Sequence, residues 1–189
     1  MRTIYQPGRS NVLAENGLVA TSHPLSSIEA ISILKMGGNA IDAAIAASVV
    51  QSVVEPCSTG IGGDCFAIVS MNNQKPVSIN GSGIAPKKAS YQFFKKNNIK
   101  KIELTSPHSV TIPGSINAWY DMHKQFGKLE FEQLFTRGEQ YARNGYPVYE
   151  VVSKVWKENE SKLSQNKLSK QIFLPNGNSP KFGELIKNI

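Results

Sequence analysis

Residues 40–54, AIDAAIAASVVQSVV, constrain the fold more than any other stretch, because apolar or small side chains fill almost every position. A surface helix carries a polar face, so a helix nearly without one must be enclosed on most sides, and its alanines let neighbouring elements approach closely. Asn39 and Asp42 give this helix a defined start: an asparagine oxygen accepts from the orphan amides of the first turn, and an acidic group complements the positive end of the dipole. A membrane span is excluded, since the run is shorter than the roughly 18 residues needed and contains Asp42, Ser48 and Gln51.

The flanking sequence supplies the elements that enclose it. Leu18–Ala20 reads as a short strand, followed by Ser22 as a cap and Pro24 in the first turn of a helix from Leu25 to Met36. Leu25, Ile28, Ile31 and Leu34 form the expected apolar stripe of that helix, with Ser26 and Glu29 off it, and Gly37-Gly38 ends it. The glycine-rich turn Glu55–Asp64 leads into a strand over Cys65–Met71 that lacks strict alternation and is expected to be buried on both faces. Asn72-Asn73 makes a hairpin turn, and Pro76–Asn80 returns antiparallel. A polar helix over Ser90–Asn98 precedes helices over Gly114–Phe126 and Phe131–Asn144, the second closed by Gly145. Trp119, Tyr120, Phe126, Phe131, Leu134, Phe135 and Tyr141 fall at helical spacings and read as packing surface. Glu150–Leu163 is expected to be one helix, followed by a polar stretch and a turn at Phe173–Gly177. Helices and a hairpin around one core give a single domain over residues 1–189, of α/β class in the broad sense and α+β in detail. Residues 182–189 begin an element and break off, so the polypeptide is expected to continue.

Other features narrow the function by exclusion. The net charge of +7 gathers in Lys87-Lys88, Lys95-Lys96 and Lys100-Lys101 and near the C-terminus, but lysine far exceeds arginine and no nucleic-acid-binding motif accompanies it. A solvated lysine surface is the reading, with neither a nucleic-acid nor a membrane partner. Cys57 and Cys65 lie outside any CxxC pattern and read as buried thiols. The first residues hold no apolar leader segment, which makes the cytoplasm the default compartment. Gly60-Ile61-Gly62-Gly63-Asp64 precedes a strand and does not open a helix, the reverse of a phosphate-binding loop, so no nucleotide or other cofactor is implied; its glycines are expected to permit close backbone approach. His23, His108 and His123 have no neighbours at metal-ligand spacing and read as structural. In Thr111-Ile112-Pro113-Gly114-Ser115 a hydroxyl nucleophile is the sharp reading and helix capping the expected one.

LVATSHPLSS, ILKMGGNAIDAAIAASVVQSVVEPCSTGIGGDCFAIV, NGSGIAP and VTIPGSINAWYDMHKQFGKLEFEQLF occur in an order and spacing that resembles the large-subunit part of γ-glutamyltransferase (glutathione hydrolase-like) proenzymes. The resemblance implies a share in a four-layer αββα sandwich of the N-terminal nucleophile hydrolase type. It also implies a precursor that cleaves itself to expose a threonine, whose amine serves as base for its own hydroxyl. That threonine belongs to the small subunit, in a Thr-Thr-His motif absent from these 189 residues. No catalytic residue and no metal ligand is therefore assigned here.

The resemblance implies one substrate contact in the large subunit, an arginine pairing bidentately with the γ-glutamyl α-carboxylate. In this chain the block is Asn80-Gly81-Ser82-Gly83-Ile84-Ala85-Pro86, with Ser82 at the arginine position. Gly81, Ser82 and Gly83 are the candidate substrate-binding residues, and a neutral hydroxyl does not replace a planar cation. Three functions stay open. The first is γ-glutamyl transfer from glutathione or a similar amide to water or an amine. The second is hydrolysis of another small acidic amide such as oxamate, and the third is a non-catalytic binding subunit. In the first two the expected partners are the small-molecule amide and the small subunit from the same precursor. Alone, the chain is expected to be sticky, because its sheet edges would be left open.

Overall fold

The computed structural model describes residues 11–187; the leader reading of the first ten residues and the end of the chain at Asn188-Ile189 lie outside them. Two helices open the fold, α1 (Pro24–Lys35) and α2 (Ala40–Val54), followed by strands β1 (Cys65–Val69) and β2 (Val77–Gly81). Helix α3 (Tyr91–Lys96) precedes α4 (Ser115–Phe126) and, after a 3-10 turn over Phe131–Phe135, α5 (Thr136–Asn144). The remaining elements are β3 (Tyr146–Pro147), α6 (Glu150–Glu158), α7 (Glu160–Ser164), α8 (Lys167–Phe173) and β4 (Leu185–Ile186).

Helix α2 is the centre, as its composition requires. Ile41, Ala43, Ile45, Ala46, Ala47, Val49, Val50 and Val54 are all buried, and α1, α5 and the 3-10 turn pack around them with Trp119 and Met122 of α4. Close approach is literal at Gly138 of α5, where a Cβ would sit 2.6 Å from Val49 Cγ1. The start of α2 is a full capping box: Asn39 Oδ1 accepts from Ile41 N–H and Asp42 N–H, and Asp42 Oδ2 accepts from Asn39 N–H at 2.9 Å.

Helix α1 corrects the expected stripe. Ser26, Glu29, Ala30 and Ile33 are its buried residues, whereas Ile28 is 58% exposed. At about 100° per residue, positions spaced by three drift round the cylinder, and over nine residues they reach the opposite side. Ser26, Ala30 and Ile33 keep to one face, and Glu29 beside them reaches Arg137 of α5 at 3.4 Å. The cap is also different: His23 Nδ1, not Ser22, accepts from Leu25 N–H, while Ser22 Oγ donates to Glu55.

β1 and β2 pair antiparallel, Cys65 opposite Gly81 and Val69 opposite Val77, and the turn is closed by Gln74 N–H to Met71 O with Asn73 at φ 60°. The inward face, Cys65, Ala67, Val69 and Ile79, joins the core. The outward face leaves Phe66 66% and Ile68 78% exposed, so the expected burial of both faces does not occur within this chain. Among the described residues Leu18–Ala20 pairs with no strand; its Val19 lies against the core. The predicted helix 150–163 breaks at Asn159 into α6 and α7, and the polar stretch after it forms α8, capped by Asn166. Residues 182–187 close back on the fold through β4, which pairs with β3. Tyr120 is the one aromatic of the predicted packing surface that is half exposed, set edge-on to Phe131.

Candidate functional site

The candidate block sits at the end of β2, where two loops meet the start of α4. Gly81 faces Ala118 and the Cys65 carbonyl so closely that a Cβ would collide with both. Gly83 has φ +74°, and a Cβ there would run into the Ile112 carbonyl. Gly114 presses on Gly81 and Gly83 from the other side. Thr111 Oγ1 donates to Ser82 O at 2.8 Å, and Ile112 N–H donates to Ile84 O at 3.0 Å. Ser82 N–H donates to Asn80 Oδ1 at 3.1 Å, leaving the half-buried hydroxyl only a long contact of 3.4 Å to Gly83 O. The three candidate residues are thus held rigidly by backbone, with Ser82 as the one side chain that can turn to a ligand.

The second loop is stapled to the same place. Gly63 O accepts from the N–H groups of Gly114 and Ser115, and the buried Ser115 hydroxyl donates to Ile61 O at 2.8 Å. Ser115 therefore ties two loops together and does not cap α4, whose N-cap is Gly114. Close approach is needed at Gly81, Gly83 and Gly114, not at Gly60 or Gly62, which have open space where a Cβ would stand.

Between loop 58–64 and the C-terminal half of α2 lies a cleft of about 590 Å³, lined by Ser48, Gln51, Ser52, Thr59, Asp64 and Cys65 among others. The hydroxyls of Ser48 and Ser52 are spent on helix carbonyls. Burial pushes the Cys65 thiol up, outweighing the hydrogen bond from Trp119, and nearby Asp64 adds to the rise. It is therefore a protonated, weak nucleophile at neutral pH. Ser82 does not line this cleft. Cys57 is exposed, which corrects the expectation of two buried thiols; Cys65 is half-buried.

What sequence reasoning missed is the long reach of the GGNAIDAA block. The Asp42 side chain, fully buried, accepts from Lys128 N–H at 3.1 Å and Leu129 N–H at 3.4 Å, and Asn39 Nδ2 donates to Phe126 O at 2.6 Å. His123 Nε2 lies 3.7 Å from Asp42 Oδ1 and 2.7 Å from Leu129 O. The signal was present as a carboxylate in an otherwise apolar run, which must find donors to be buried. His23 and His108 are likewise engaged structurally, the first packed edge-on to Tyr149 and the second between Phe93 and Phe94.

The geometry is that of an α+β core with helices around a hairpin, and the solved structures it resembles are of the N-terminal nucleophile hydrolase class. The sequence model of the family described as gamma-glutamyltranspeptidase matches residues 26–189, and the chain belongs to that family. It is 34% identical over 179 residues to a glutathione hydrolase proenzyme of Bacillus subtilis, covering 92% of this chain and 30% of that protein. Its fold matches Helicobacter pylori gamma-glutamyltranspeptidase with TM-score 0.86 and 28% identity, over 95% of this chain and 52% of that one. It also matches a cephalosporin acylase from Bacillus halodurans with TM-score 0.84 and 32% identity, over 98% and 37% respectively. The chain thus spans about a third of the length of the curated relative. Among the described residues no helix is long and apolar enough to cross a membrane.

Proposed function

We propose that residues 1–189 are the large-subunit part of a cytoplasmic enzyme that transfers a γ-glutamyl group from glutathione or a similar amide to water or an amine. The observation that carries this reading is the family match over residues 26–189, from the first turn of α1 through the 80–86 block to the end of the chain. In the proposed reaction a threonine outside this chain attacks the amide carbonyl while its own amine takes the hydroxyl proton. The tetrahedral oxyanion is stabilised by preorganised donors, the leaving amine departs with that proton, and water or an acceptor amine then cleaves the ester. The open outward face of the hairpin, with Phe66 and Ile68, supports a small-subunit partner that covers it.

Ser82 favours a second reading, an amide whose acid group is not held by an arginine fork. Expression of the full reading frame tests both. A new fragment beginning with threonine, found by mass spectrometry, together with release from γ-glutamyl-p-nitroanilide, supports the γ-glutamyl enzyme. Self-cleavage without release, restored by Ser82→Arg, points to the other amides. Absence of self-cleavage refutes both and leaves the non-catalytic subunit.

A further inference from the structure

We propose that residues 84–112 form a cationic arm that docks the protein on the surface of an anionic lipid bilayer. No residue of this segment is buried, and it leaves and rejoins the core at one neck, where Gly83 and Gly114 touch and Ile84 bonds to Ile112. It carries six lysines against a single acid, Glu103, and so holds five of the chain's seven excess positive charges. Among the described residues only Lys101 of these six has an acidic partner within 4 Å, Glu103 at 3.1 Å.

The sequence alone left these lysines as a solvated surface; the structure adds the apolar side chains exposed among them. Leu104 is 88% and Tyr91 74% exposed, and Ile84, Ile102, Val110 and Ile112 are open to solvent as well. A recess of about 460 Å³ sets Tyr91, Phe94 and Ile102 beside Lys95, Lys100 and Lys101. Lysine heads over an exposed apolar surface match the boundary between lipid headgroups and acyl chains, which takes up both at once. A nucleic acid would draw on the charge but gain little from aliphatic side chains, and the arm has no arginine to fork onto phosphates or base edges.

The test is sedimentation of the full-length protein with phosphatidylcholine vesicles, with and without a minority of phosphatidylglycerol. The expected result is binding to the anionic vesicles alone, weakened by high salt. Replacing Lys95, Lys96, Lys100 and Lys101 together by Gln should lower the partition coefficient at least about tenfold, since each lysine at such a surface is worth about fivefold. Y91S/L104S should lower it at unchanged charge. Equal binding to neutral vesicles, or no binding by the wild type at low salt, overturns the proposal. Two further results overturn it: unchanged binding by a lysine variant whose circular dichroism is intact, or lysine-dependent binding to duplex DNA without binding to vesicles.

Discussion

Replacing Asp42 by Ala removes the acceptor for three backbone N–H groups at once, those of Asn39, Lys128 and Leu129. A buried donor left without a partner costs about 1–3 kcal/mol. Asn39 and Leu129 are only half-buried and Lys128 is exposed, so their N–H groups regain some water and the sum falls at the low end, about 3–5 kcal/mol, still a large part of the roughly 5–15 kcal/mol of a typical domain. Asp42→Asn keeps one carbonyl oxygen for the capping box but turns an amide nitrogen toward Lys128 N–H, and about 1–2 kcal/mol is expected. With a urea slope of about 2 kcal/mol per molar, the alanine variant should lower the midpoint by about 1.5–2.5 M and the asparagine variant by less than 1 M. Urea unfolding of the full-length protein, followed by circular dichroism with the slope held as a control, reads these values. A loss below about 1 kcal/mol for Asp42→Ala would refute the idea that this carboxylate pins the start of α2 to the 126–129 loop.

Gly83→Ala forces a side chain onto φ +74° against the Ile112 carbonyl and should cost more than about 2 kcal/mol, whereas Gly60→Ala, with open space around it, should cost less than about 1; thermal unfolding of the two variants separates them. Burial lowers the pKa of His23 below 6.5, against the opposing influence of Glu55, so the unfolded chain binds a proton more readily than the folded one. Stability is therefore full above about 6.5 and falls as pH drops toward the folded value, a slope that His23→Asn should remove in unfolding measured from pH 7 to 5. The Glu160 carboxyl is held at about 2 by the Ser179 N–H and hydroxyl and by Lys157. Its contribution is present above the ordinary carboxylate value and lost as pH falls through about 2, so Glu160→Gln should flatten the acid limb of stability below about pH 4.5.

The sequence by itself determined the central helix, its Asn39 cap, the hairpin with its Asn72-Asn73 turn, and the Gly145 stop, because each depends on neighbours a few residues away. The order of the blocks also carried the family, whose sequence model matches residues 26–189. Tertiary structure decided what depends on distant partners. Glu29 is buried because Arg137 of α5 reaches it, and Asp42 is buried because the 128–129 amides lie 86 and 87 residues further on. Ser115 staples the 58–64 loop through Ile61, 54 residues earlier, a bond no local propensity encodes. Gly81 and Gly83 are required where Gly114 meets them, while Gly60 and Gly62, alike in sequence, stand in open space. Local hydrogen bonds and periodicity are written in short stretches of chain; burial of a charge or a glycine's crowding is fixed only when separate segments meet, since desolvation and steric overlap arise from the atoms that arrive.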